Sequence, residues 1–143
     1  MKKWFAGLMM FFLAASSLHA AALNTKVTVI VASNNGSDID IENDQYRDQV
    51  IKLFSYSSYI QKSQSSVQLE EGKPAAVALE GGYELSLTLY RQEGERKIIR
   101  ALIKKGAQTI LNTEMAITGA GPVFMGGPPA ESGDLLIVVE PLS

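Results

Sequence analysis

Tyr83-Glu84-Leu85-Ser86-Leu87-Thr88-Leu89-Tyr90-Arg91 is the stretch on which the fold turns. Tyr83, Leu85, Leu87 and Leu89 alternate with Glu84, Ser86, Thr88 and Tyr90. Successive side chains of a strand point to opposite faces, so this pattern makes a strand with one apolar and one wet face. Gln92-Glu93-Gly94-Glu95 follows as a hairpin loop. Before it, Ala75 to Leu79 is a short strand closed by Glu80-Gly81-Gly82.

Working outward, Lys97 to Ile103 reads two ways. Ile98, Ile99, Leu102 and Ile103 fit a helical stripe ended by Gly106, and they also fit a strand buried on both faces. A helix here would interrupt a series of strands, so a strand is expected. Ala107 to Ile117 is a further strand, with Thr109, Leu111, Thr113 and Met115 on one face. Thr118 to Pro122 turns the chain, Val123 to Met125 is a short strand, Gly126-Gly127-Pro128-Pro129 reads as a loop, and Leu135 to Val139 is a last apolar strand.

Toward the N-terminus, Lys26 to Ala32 is β-branched and almost continuously apolar, the mark of a buried strand. Ser33 to Asp38 is a loop. Asp44 to Phe54 is the best helix candidate, capped by Asn43 or Asp44, with Tyr46, Val50, Leu53 and Phe54 forming one apolar stripe. Tyr59 to Leu69 is a polar strand followed by a turn at Glu70 to Pro74. Strands at regular spacing with turns between them predict a mainly β (α+β) fold: an antiparallel β-sandwich or curved sheet with one short N-terminal helix.

Residues 1–20 have the layout of a secretory signal peptide. Met1-Lys2-Lys3 is basic, Trp4 to Ala15 is apolar, and Ser16 to Ala22 is rich in small residues, so cleavage is expected after Ala20 or Ala22. The apolar run is shorter than the roughly 20 residues of a membrane helix, so no stable span is expected after cleavage. Residues 21–143 then form a single β-rich domain, periplasmic or extracellular. His19 and Trp4 leave with the leader, and the whole chain contains no cysteine. The working domain therefore lacks the residues for Ser-His-Asp or Cys-His catalysis, for His- or Cys-ligated zinc, for His-ligated haem and for disulfides. Loss of Lys2 and Lys3 from the 13 basic residues leaves 11 against 15 acidic ones. That balance argues against nucleic acid. The densest basic run (Arg91, Arg96, Lys97, Arg100, Lys104 and Lys105) is interleaved with Gln92, Glu93 and Glu95 and reads as a solvated face.

The last third carries a resemblance. Thr109-Ile110-Leu111-Asn112-Thr113 leads to Met115-Ala116-Ile117, then Gly119 to Gly121, Val123-Phe124-Met125-Gly126-Gly127, and finally Leu135 to Pro141. This order resembles the closing segment of bacterial secretins, the outer-membrane channels of secretion and pilus systems. There, a strand pair with a glycine turn leads to an apolar strand ending in Gly-Gly and a last strand before proline. The chain is too short for a secretin, and Gly127 to Leu135 is too short for a channel's inner hairpin. The resemblance therefore implies a secretin-associated envelope module.

Candidate sites are few. Asp38, Asp40, Glu42 and Asp44 alternate along one loop, and calcium takes about 6–8 oxygens that a loop can present in this way. The EF-hand order fails, because its glycine position, counted from Asp38, is Asn43. Ile39 and Ile41 equally suggest a short edge strand with a wet acidic face. Gly119 to Gly127 lacks the lysine, the hydroxyl and the following helix of a phosphate loop. Glu70, Glu71, Glu80, Glu84, Glu93, Glu95 and Glu114 could pair for carboxylate-based hydrolysis, though most stand beside turns or on wet strand faces. No Ser-x-x-Lys spacing occurs. Tyr56 and Tyr59, beside the polar strand, suit an exposed recognition edge or sheet packing with wet hydroxyls. With Gln61 and Ser65 they are the candidate partner-binding residues. The reading is thus a domain that is not an enzyme, with no cofactor, acting by contact with an envelope protein. A small-ligand or calcium-binding protein and a carboxylate hydrolase stand as alternatives.

Overall fold

In a computed structural model the described residues are 22–42, 44–119, 121–130 and 132–142. The expected signal peptide and the Asn43 cap lie outside them. Among these described residues, nine strands and one helix follow in order: β1 (Ala22–Ser33), β2 (Ile39–Asp40), α1 (Asp44–Leu53), β3 (Ser58–Glu70), β4 (Ala75–Ala78), β5 (Tyr83–Glu93), β6 (Arg96–Lys105), β7 (Gln108–Thr118), β8 (Val123–Ala130) and β9 (Gly133–Leu142). They make two sheets. One has the order β2-β3-β1-β9-β8 and the other is the antiparallel meander β4-β5-β6-β7. β2 alone runs parallel to its neighbour.

The alternation in Tyr83–Arg91 is realised directly. Leu85, Leu87 and Leu89 are fully buried and point at the other sheet, where they meet Val27, Val29, Val31, Leu135, Ile137 and Val139. Residues 97–103 are strand, as expected, and lie within β6. Ile99, Ala101 and Ile103 point inward and join the same core. Burial of this much β-branched and leucine surface supplies most of the stabilisation, at roughly 25 cal/mol per Å² of apolar area removed from water.

β1 and β9 lie side by side at the centre of the five-stranded sheet, with Val29 opposite Ile137 and Ile30 opposite Leu136. Ile30, Ala32, Leu136 and Val138 face away from the meander, yet they are buried against Val50 of α1, Ile41 and Tyr59. Being covered on both faces is why these two strands read as continuous apolar runs. Where the second face opens to water, the pair opposite becomes Lys26 and Glu140, an ion pair at 3.5 Å.

Two expectations are corrected. Leu53 is 61% exposed and does not belong to the buried stripe, which α1 makes with Val50 and, just beyond its end, Phe54. Residues 126–129 are not a loop. β8 runs through them to Ala130, with an irregularity in its pairing between Gly126 and Pro129. Pro128 and Pro129 are accommodated because β8 is an edge strand, where a missing N–H donor is tolerated. Among the described residues no helix is long and apolar enough to cross a membrane.

Candidate functional site

β3 is thirteen residues of mostly serine and glutamine, carried by its pairing with β1. On its other side β2 pairs only with Tyr59 and Ile60. From Gln61 to Gln68 no strand flanks that side among the described residues. Lys62, Ser63, Gln64, Ser66 and Gln68 are exposed, while Gln61 and Ser65 are half-buried. Ser65 stands opposite Val27 of β1. Gln61 anchors the start of this edge, because its Oε1 accepts the backbone N–H of Glu42 at 3.2 Å.

Tyr59 is not an exposed recognition residue. It is 1% exposed and lies between α1 and the sheet. Its hydroxyl donates to the carbonyl of Phe54 at 2.7 Å and accepts the N–H of Tyr56 at 3.1 Å. A tyrosine rather than phenylalanine belongs here because the chain leaves the helix at this point and its backbone groups need partners. Tyr56 is half-buried, packs edge-to-face on Tyr59 with ring centres 6.1 Å apart, and donates to Asp134 Oδ2 at 2.5 Å. Donation to Asp134, with some loss of hydration and the charge nearby, holds the Tyr56 hydroxyl above its ordinary pKa. Both tyrosines therefore brace the layer behind the edge. Asp134 was not singled out in the sequence. The only hint is its parity, two residues before Leu136 and four before Val138 on the face that α1 covers.

Asp38, Asp40 and Glu42 are exposed, and the side chain of Asp44 lies outside the described residues. Ile39–Asp40 forms the short edge strand that the isoleucine spacing suggested, and Ile41 is buried. The Asp38 carbonyl accepts the N–H of Tyr59 at 2.8 Å, which ties the acidic segment to the start of β3. Beside it is a cavity of about 270 Å³ lined by Ser33, Asn35, Asp38, Ser58 and Lys62 among others. Among the described residues, no three or more His, Cys, Asp or Glu side chains converge as a metal set.

The carboxylates weighed for hydrolysis are dispersed. Glu114 pairs with Arg100, Glu70 with Lys73 and Glu93 with Arg91, all on the surface. The basic run is likewise divided along a hairpin. Arg100 stacks 4.4 Å from the centre of the Tyr90 ring, and Lys105 stands 5.1 Å from that of Tyr83 at the other end of β6. Comparison with protein-family models, curated proteins and solved structures finds no match to this chain.

Proposed function

We propose that the chain is an exported, non-catalytic β-domain that works in the periplasm or outside the cell by protein contact. On this reading it serves envelope assembly or secretion and receives a strand of an envelope protein on the β3 edge. The observation that carries the reading is the edge from Gln61 to Gln68, long, polar and without a strand beside it among the described residues. Open edges bind extended peptides through main-chain hydrogen bonds. The layout of residues 1–20 and the order of residues 109–141, which resembles the closing secretin segment, both support an envelope setting.

Proline in the edge tests it. Alternate N–H groups of an edge strand point to the paired neighbour and to the open side. Of Ser65→Pro and Ser66→Pro, one therefore removes an outward donor and the other a ladder bond to β1. The variant that keeps the wild-type melting temperature is expected to lose capture of the partner in a cross-linking pull-down from the native envelope. Unchanged capture by that folded variant refutes the reading.

The cavity beside Asp38 favours one second reading, a small polar ligand met by hydroxyls, Asp38 and Lys62, or calcium on the oxygens of Asp38 and its neighbours with Lys62 turned away. Calcium binding to the native state alone would raise the melting temperature, and EDTA would reverse it. An unchanged melting curve in both removes the calcium form of this alternative.

A further inference from the structure

We propose that the edge of β7, which no strand flanks among the described residues, pairs antiparallel with β7 of a second copy, about a two-fold axis at Thr113. The edges of the two sheets are not protected alike. A flat, uncharged edge is a template for another strand, and proteins blunt such edges with brevity, proline, lysine or a bulge. β2 has two residues and β4 has four. β8 carries Pro128 and Pro129 and an irregular register. β3 carries Lys62 beside a register shift at Val29/Ile30, which blunts the start of its open stretch and leaves Ser63 to Gln68 available. β7 runs for eleven residues without proline, glycine, lysine or arginine. Its one register shift, opposite Ile103/Lys104, leaves Leu111–Thr118 paired to β6 without a break. Its single charge, Glu114, is met by Arg100 at 3.1 Å.

The order of residues in β7 selects the occupant. In a two-fold antiparallel pair, residues equidistant from the axis face each other. With Thr113 on the axis, Asn112 faces Glu114 and Leu111 faces Met115. The Asn112 amide then donates to a carboxylate, and no carboxylate meets its own copy. Leu111 and Met115 are both half-buried on the rim of the core, and the pairing lays each against the other. The run Leu-Asn-Thr-Glu-Met is its own complement, which points to a second copy over a foreign strand. Two four-stranded sheets would join as one, while β3 stays open, so this pairing is independent of the partner edge proposed above.

The absence of cysteine makes the test direct. Residues facing each other across such a pair have Cα atoms about 4.5–5.5 Å apart, within disulfide reach. The wild-type chain is expected to sediment as a dimer, and Thr113→Cys to double its mass on a non-reducing gel after mild oxidation. Leu111→Cys places the two thiols roughly 13 Å apart along the strands and stays single. A wild-type chain that sediments as a monomer at every concentration overturns the proposal. So does a dimer that cross-links from Leu111→Cys as readily as from Thr113→Cys. Circular dichroism of each variant confirms that the comparison is between folded chains.

Discussion

The Tyr56 hydroxyl reaches Asp134 across 78 residues of sequence, at 2.5 Å, and so joins the segment after α1 to the start of β9. Tyr56→Phe removes this charge-assisted hydrogen bond, and a loss of about 1 kcal/mol is expected for a half-exposed pair. The pH response gives the diagnostic sign. Because the folded state holds the hydroxyl pKa above its unfolded value, the bond contributes fully below about pH 10, the ordinary tyrosine value, and fades as pH rises through the folded pKa. Wild-type stability should therefore decline more steeply than that of Tyr56→Phe above about pH 10. Urea melts of both chains across alkaline pH measure this, and parallel declines would contradict it.

Of the described glycines, Gly133 leaves the least room for a side chain. It has φ +154°, and a methyl group on it would stand 2.3 Å from the carbonyl oxygen of Ala32. That carbonyl belongs to β1 and cannot yield without opening the β1–β9 ladder. Gly133→Ala is expected to cost about 3 kcal/mol or more, from strain and steric displacement together. Gly72, at φ +81° with nothing near its missing side chain, is the control: Gly72→Ala should cost only the left-handed penalty of about 1 kcal/mol. Chemical denaturation of the two variants gives the difference.

The helix should be held by Val50 rather than by Leu53. Val50 is fully buried against Ile30, Leu136 and Val138, and Leu53 is 61% exposed. Val50→Ala should cost about 1–3 kcal/mol through lost burial and a cavity. Leu53→Ala should stay within about 0.5 kcal/mol of wild type. Thermal melts that rank the two in the opposite order would mean that α1 packs on another face.

Tyr59→Phe tests whether that hydroxyl is structural. The change leaves the Phe54 carbonyl and the Tyr56 N–H without the partner they now share, at a cost of about 1–3 kcal/mol. If Tyr59 served a surface contact instead, the melting temperature would hold and only partner capture would fall.

The strands of the meander were legible because each has one dry and one wet face, and the hairpin turns carry glycines. Gly94 and Gly106 adopt positive φ between β5, β6 and β7, as such turns require. β1 and β9 were legible as strands from their β-branched runs, but not as neighbours, since no local signal pairs Val29 with Ile137. Pro128 and Pro129 mimicked a loop because an edge strand tolerates what a central strand does not. Leu53 fitted the helical period, yet a helix of ten residues on a sheet meets it along one narrow line, and Leu53 falls off that line. Tyr59 was ambiguous for a physical reason: its ring is apolar and its hydroxyl satisfiable, so burial and exposure were both open to it. The β3 edge was legible in composition, serine and glutamine with little to bury. The open edge of β7 was not, because which strand ends a sheet is decided by topology.

The pairing of β1 with β9 sets the order in which the molecule can be made. Asn24 is opposite Leu142, so the centre of the larger sheet joins segments from opposite ends of the described chain. The meander needs only neighbouring hairpins and can assemble while synthesis is still under way. The β1 edge away from β3 must wait unpaired until the last strand arrives. A chain made from its N-terminus has that delay built in. A factor that shields β1 during the interval would act on the yield of folded protein without touching its final stability.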